Sequence, residues 1–264
     1  MEYSRIGYGT YRLNNNVLEQ SLEKALLSGY RLIDTASLYR NEQVIGNYLS
    51  SNEINRSSIW ITSKLQPKLF DKKYIEADII NSIVKSLDDF NTKYVDLYLL
   101  HCPSTLQEHN IKAWSILEQF QRQGIFKNIG VSNFAIKELD EIINFSTTPI
   151  YTNQIELTPF LIRPTIIDYM KDKNIKITAH SSLAKGEKFN EPILIELGEK
   201  YKKTQAQIML QWAIQKDFYV IPRSSNPEHI IENINLNFIL EEEDIKKLDN
   251  LNCGYTTHPK YIIE

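Results

Sequence analysis

Cysteine is nearly absent: Cys102 and Cys253 are the only two in 264 residues. Two distant thiols make neither a disulfide framework nor a metal-ligand set, so both are read as reduced and no metal is expected. Long apolar runs are missing as well. Nowhere do about 18 uncharged apolar residues follow one another, and the segment Met-Glu-Tyr-Ser-Arg at the start carries no apolar stretch of signal-peptide type. Neither a membrane span nor a secretory signal is encoded, and cytoplasmic residence is the expectation. Lys and Arg gather on no one segment and the formal net charge is −3, which argues against a footprint for the phosphate backbone of nucleic acid. Linkers rich in Pro, Gly or Ser, charge blocks and low-complexity runs are lacking, so nothing marks a domain boundary. One domain over residues 1–264, acting on a small molecule, is the simplest reading, and nothing demands more than a monomer.

What is present is the composition of an ordinary globular domain. Hydrophobic residues make up 42% and charged residues 24%, enough to bury a sizeable core and too apolar for a disordered chain. Short apolar or β-branched runs fall near 5–10, 31–34, 59–64, 95–101, 128–131, 150–155, 175–179 and 219–221. Helical periodicity stands between them, most clearly over Ile75 to Leu87 and Ile111 to Gln123. The spacing is mostly about thirty residues, the size of one βαβ unit with a right-handed crossover. Eight such units close a parallel α/β barrel, the (β/α)8 TIM type. An open doubly wound sheet would instead show G-x-G-x-x-G after the first strand. Gly7-Tyr8-Gly9 begins that pattern, but Arg12 stands where the third glycine belongs, and the open sheet is rejected.

Polar residues close three of the runs: Asp34 the second, Lys64 the third and His101 the fourth. In a parallel barrel these ends share the face where barrel enzymes place their chemistry. Tyr39 follows Asp34 in the loop over the same mouth. Asp, Lys, Tyr and His together suit donation of a proton to a carbonyl oxygen as a hydride reaches its carbon. A free tyrosine, with a pKa of about 10, is a poor acid at neutral pH. A neighbouring Lys64 ammonium would stabilise the phenolate, with Asp34 keeping that ammonium charged and oriented. His101 would hydrogen-bond the carbonyl oxygen and orient the substrate. Taken singly, each residue is as well explained by a salt bridge or a satisfied core histidine; four suitable types at consecutive strand ends are not.

Five short motifs follow one another in order: Gly9-Thr10; Asp34-Thr35-Ala36 with Tyr39 and Asn41-Glu42; Leu100-His101-Cys102-Pro103; Gly130-Val131-Ser132-Asn133-Phe134; and Asn153-Gln154-Ile155-Glu156-Leu157. On them the chain resembles the aldo-keto reductases over nearly its full length, in particular the short, prokaryotic-type diketogluconate and methylglyoxal reductases. The resemblance implies a catalytic tetrad of Asp34, Tyr39, Lys64 and His101 and an NADPH cofactor, with NADH possible but weaker. It implies cofactor contacts at Gly9, Thr10, Asp34, Ser132, Asn133, Gln154, His180, Ser181 and Leu183. Ser132, Asn133 and Gln154 would hold the nicotinamide carboxamide. At the adenosine end the clasp would be Arg223, Ser224, Asn226, His229, Glu232 and Asn233, with Arg223 on the 2′-phosphate. The substrate would be a small aldehyde, α-dicarbonyl or keto-sugar, lined by Tyr11, Tyr39, Gln66, His101 and Cys102.

The departures from that family are specific. His180 stands where a Tyr or Trp usually stacks on the nicotinamide, and Ser181-Ser182 replaces Ser-Pro. Tyr11 and Cys102 occupy positions where many members have tryptophan, and Gln66 replaces another bulky residue, so a roomier, more polar pocket is expected. His229 stands where a permanent cation is usual, and histidine is mostly neutral at pH 7. The connection from Pro103 to about His109 is short, the segment after Cys253 is brief, and no hairpin precedes the first strand to plug the barrel floor. An open site is the expectation. Two other functions fit less of the sequence. A non-catalytic NADP-binding barrel acting as a sensor or regulatory subunit leaves the tetrad idle, and an unrelated barrel isomerase using His101 and Glu156 leaves Ser132, Asn133 and Gln154 unexplained.

Overall fold

The computed structural model describes residues 4–69 and 75–259. In chain order the elements are β1 (Tyr8–Gly9), α1 (Asn15–Leu27), β2 (Leu32–Asp34), α2 (Glu42–Ser51), β3 (Trp60–Leu65), α3 (Ile75–Asp89), β4 (Val95–Leu100) and α4 (Gln107–Arg122). There follow β5 (Phe126–Ser132), α5 (Ile136–Phe145), β6 (Thr152–Glu156), α6 (Pro164–Asp172), β7 (Lys176–His180), α7 (Pro192–Tyr201), α8 (Gln205–Gln215), β8 (Tyr219–Val220), α9 (Pro227–Ile234) and α10 (Glu242–Asp249). Strands pair in parallel with their sequence neighbours from β1 to β8. The ring closes where Gly7 N donates to the Val220 carbonyl at 2.8 Å and Gly9 N to the Pro222 carbonyl at 3.0 Å. This is the expected (β/α)8 barrel.

Local sequence explains the elements. All six residues of β4, Val-Asp-Leu-Tyr-Leu-Leu, are buried, as a parallel strand covered on both faces requires. The helices start on side-chain caps: Asn14 Oδ1 accepts from Val17 N, and Thr204 with Gln207 makes a capping box at α8. Pro164, Pro192 and Pro227 each open a helix, where their missing N–H is not needed. β5 begins at Phe126, two residues before the apolar run marked it, because buried Phe126 pairs with Val95 while Lys127 points outward. α4 begins at Gln107, ahead of the clear periodicity, since Asn110 is buried and bonds back to Ser104 rather than facing water.

The core forms one continuous apolar cluster between barrel and helices. Gly9 belongs to the barrel seam: a Cβ there would lie 2.5 Å from the Ile221 carbonyl oxygen, so only glycine lets β1 approach β8 this closely. Around the outside, α9 packs beside α1 and completes the helical ring. Among the described residues, no helix is long and apolar enough to cross a membrane.

Candidate active site

The barrel register brings the strand-end residues together. Asp34 ends β2, Lys64 lies one residue before the end of β3 and His101 follows β4 directly. Tyr39 sits in a single 3₁₀ turn, Ser37–Tyr39, whose Ser37 hydroxyl donates to the Lys64 carbonyl at 2.9 Å. Lys64 Nζ donates to Asp34 Oδ1 at 2.5 Å and to the Thr35 carbonyl at 2.8 Å. Its ammonium is 5.4 Å from the centre of the Tyr39 ring. The Tyr39 and His101 rings meet edge to face with centroids 5.7 Å apart. All four residues of the expected tetrad thus converge on one mouth.

Burial decides the charge states. The Lys64 side chain is buried, which pulls its proton affinity below the ordinary lysine value while Asp34 pulls the other way. His101 is pushed down to about 3, first by burial and then by the Lys64 charge. It is therefore a neutral imidazole at physiological pH, able to donate one hydrogen bond but not to carry a spare proton. Its Nδ1 is enclosed and has no hydrogen-bond partner among the described residues, a rare state for a buried polar atom.

The residues expected to hold a carboxamide also lie together. Ser132 Oγ donates to the Gln154 carbonyl at 2.8 Å, and Gln154 Nε2 donates to Asp34 Oδ2 at 2.7 Å. Asn133, in the left-handed region at φ 61°, donates from Nδ2 to the His101 carbonyl and to Ser132 Oγ, each at 3.1 Å. Its Oδ1 faces His180 Nε2 at 2.9 Å, which requires the hydrogen on that nitrogen. His180 Nδ1 then accepts from Ser181 Oγ at 3.2 Å, and Ser181 Oγ accepts from His258 Nε2 at 3.1 Å. Burial holds His180 well below the usual histidine range, with Glu156 opposing. The edge of the imidazole is engaged, so a stacking partner would have to meet its face. The side-chain oxygen of Gln154 accepts nothing from the described residues, and together with Ser132 and Asn133 this donor and acceptor set fits a carboxamide-bearing nicotinamide.

The other expected residues are more dispersed. Thr10 Oγ1 donates to the Asp34 carbonyl at 3.0 Å, beside Gly9 in the seam. Leu183 packs against the core. Arg223 is exposed and donates from Nε to the Tyr11 carbonyl at 3.1 Å, while the Ser224 carbonyl accepts from Tyr8. Asn226 caps α9 through Glu228 N and His229 N. Glu232 and the buried Asn233 lie further along the same helix. Of the expected substrate contacts, Tyr11 is exposed with its ring 4.9 Å from that of Tyr39, Cys102 is buried and Gln66 is half-buried after β3.

Sequence reasoning missed the segment after α10. Thr256 Oγ1 donates to Glu156 Oε2 at 2.5 Å, Thr257 N donates to Glu156 Oε1 at 2.8 Å, and Lys185 Nζ donates to the Thr257 carbonyl at 2.8 Å. Burial works against a charged Glu156, but these threonine hydrogen bonds outweigh it and hold the carboxyl below its usual range. The segment covers the ends of β6 and β7, so the mouth is less open than its short length suggested. Only Glu156, in its motif, signalled a partner; residues 256–258 have no periodicity to read.

Comparison with known proteins agrees with this architecture. Residues 5–252 match the Aldo/keto reductase family. Methylglyoxal reductase DkgA of Escherichia coli strain K12 is 33% identical over 258 residues, covering 97% of this chain and 92% of that protein. Glyoxal reductase of Bacillus subtilis strain 168 is 33% identical over 254 residues, covering 96% and 90%. The crystal structure of an aldo-keto reductase enzyme from a Medee basin deep-sea metagenome library superposes with a TM-score of 0.91 at 31% identity, covering 97% of this chain and 94% of that one. Fold, strand-end constellation and overall similarity lead to one conclusion: the chain is an oxidoreductase that belongs to the aldo/keto reductase family.

Proposed function

We propose that the protein reduces the carbonyl group of small aldehydes and ketones to the alcohol with NADPH, and that Tyr39 donates the proton to the carbonyl oxygen. The observation that carries this reading is the convergence of Tyr39, Lys64 and His101 on one mouth with His101 held neutral. A neutral imidazole orients an oxygen by hydrogen bonding but is not a proton source at pH 7, which leaves Tyr39 as the acid. The Lys64 ammonium, held by Asp34, favours the phenolate left after proton transfer. His101 faces the developing charge as a preorganised donor. A bound reduced nicotinamide supplies the hydride. Ser132, Asn133 and Gln154 would hold its carboxamide, His180 would lie against the ring, and Gly9, Thr10, Ser181 and Leu183 would line its path. Arg223 would grip the 2′-phosphate, with Ser224, Asn226, His229, Glu232 and Asn233 around the adenosine end. The names of the methylglyoxal and glyoxal reductase relatives support α-dicarbonyls as the first substrates to try.

The test is loss of reduced-nicotinamide absorbance when purified protein meets NADPH and methylglyoxal, repeated with Tyr39→Phe. The variant is expected to bind NADPH normally and to lose about 10²- to 10⁴-fold in turnover. Near-wild-type turnover would end the tyrosine mechanism, and cofactor binding with no turnover across a carbonyl panel would favour a non-catalytic, cofactor-sensing barrel.

A further inference from the structure

Beneath the active-site mouth the described residues do not fill the barrel. A cavity of about 370 Å³ extends from the amino-terminal strand ends up to Asp34 and Gln154. Barrel interiors are ordinarily closed by stacked layers of side chains, and protein interiors hold few voids larger than a water molecule. This space is of the size that takes small ligands. Its outer end is framed by the half-buried rings of Trp60, Tyr151 and Tyr219, with Trp60 and Tyr151 5.9 Å apart and tilted by 31°. Its walls carry Thr62, Thr152 and Thr178, each more than nine-tenths buried.

The hydroxyls specify what such a ligand must offer. Trp60 Nε1 donates to Thr62 Oγ1 at 3.0 Å, so the Thr62 hydroxyl hydrogen is left to donate. Thr152 spends its hydrogen on the Lys176 carbonyl at 2.8 Å, so in the 3.0 Å contact between Thr152 and Thr178 it is Thr178 that donates. Thr178 Oγ1 keeps its acceptor capacity. Donor and acceptor therefore stand on β3 and β7, across the barrel from each other. The roof asks for no ionic partner, because the Asp34 carboxylate already accepts from Lys64 and Gln154. At the outer end the Lys176 ammonium, also part of the lining, donates to the Tyr151 hydroxyl at 2.9 Å and lies over the Tyr151 and Tyr219 rings.

We propose that this lower cavity is a second binding site, for a flat, uncharged heteroaromatic molecule with an N–H donor at one end and a carbonyl acceptor at the other. The aromatic frame supplies the stacking surface, and Thr62 and Thr178 read the two polar ends. The site lies below the mouth where carbonyl chemistry is placed, and Asp34 and Gln154 form the boundary between them. Binding needs no cofactor, so its failure would leave the reductase reading untouched, and the reverse also holds.

The probe is 4-quinolone, titrated into the full-length protein by calorimetry and by intrinsic fluorescence. Trp114 and Trp212 are fully buried elsewhere, so Trp60 is the reporter at the cavity. Saturable one-to-one binding is expected, with quenching lost in Trp60→Phe. Thr178→Leu, which fills the cavity, and Tyr219→Ala, at its half-exposed rim, should each weaken binding by about tenfold or more while NADPH binding stays unchanged. Indole, which lacks the acceptor, should bind less tightly by a similar factor. Absence of saturable binding would mean a cavity that holds only water. Equal affinity in both variants, or displacement by NADPH with no effect of Thr178→Leu, would place the ligand elsewhere, and either result overturns the proposal.

Discussion

Replacing Lys64 with methionine removes one member of a buried ion pair and leaves the other in place. The pair is closely made: Nζ is 2.5 Å from Asp34 Oδ1, and the two side chains are only 1% and 5% exposed. Breaking such a pair costs about 3–5 kcal/mol, because the remaining charge stays buried without compensation. Gln154 still donates to Asp34 Oδ2 at 2.7 Å and relieves part of this, whereas the Thr35 carbonyl loses its 2.8 Å donor. For a chain of this size the loss corresponds to roughly 6–20 °C in Tm. The double variant Asp34→Asn/Lys64→Met removes both charges and should recover most of the stability, since neutral replacements of buried pairs are often harmless. Carbonyl reduction should not return in it, because the ammonium beside Tyr39 is gone; the loss should match that of Tyr39→Phe, about 10²- to 10⁴-fold. Urea unfolding and NADPH turnover on the same preparations separate the two effects. If the single variant loses less than about 1 kcal/mol, or the double variant is no more stable than the single, the buried-pair reasoning is wrong. Near-wild-type turnover in Lys64→Met would detach Lys64 from the tyrosine.

Glu42, buried and accepting from the Ser63 and Ser86 hydroxyls, is pushed up to about 7, chiefly by burial. A carboxyl whose folded pKa is raised keeps its stabilisation below the unfolded value and loses it as pH rises through the folded one. Wild-type stability should therefore fall by about 3 kcal/mol between pH 4.5 and 7 from this group, and Glu42→Gln should flatten that slope in urea titrations at pH 5 and 8; an unchanged slope would clear Glu42. Arg223→Ala should weaken NADPH by about tenfold, the low end for a charge-assisted contact because Arg223 is exposed, and leave NADH unchanged; equal use of both cofactors by the wild type would remove the phosphate clasp. His180→Ala loses the 2.9 Å bond to Asn133 Oδ1 and should raise the NADPH Kd by roughly tenfold, while His180→Tyr keeps an aromatic face. Equal Kd values for all three in fluorescence titrations would exclude His180 as a platform.

The tetrad was legible because it depends on local pattern. Asp34, Lys64 and His101 close apolar runs at barrel spacing, and Tyr39 lies a few residues past one of them, so residue type and periodicity were enough to bring them to one face. Ser132, Asn133 and Gln154 were legible only through ordered motifs. Their actual partners were not: Gln154 meets Asp34 across 120 residues of chain, and His180 turns its ring edge to Asn133. Residues 256–258 could not be assigned, since an irregular segment carries no period and is positioned by where Glu156 and Ser181 happen to lie. The unfilled space under Asp34 left no mark on the sequence either, because a cavity is what remains after every strand has taken its tilt and register.

Alternation of strand-forming and helix-forming segments, a chain property, determined the barrel and the identity of the groups at its mouth. Tertiary structure alone decided their charge and their contacts. Closure of the ring, with Gly9 against Ile221 and Gly7 bonded to Val220, is what makes distant strands neighbours. Burial in the assembled fold keeps His101 neutral near pH 7 and raises Glu42 to about 7. Proton affinity depends on the dielectric and charges surrounding a group, and those surroundings come from segments far apart in the chain.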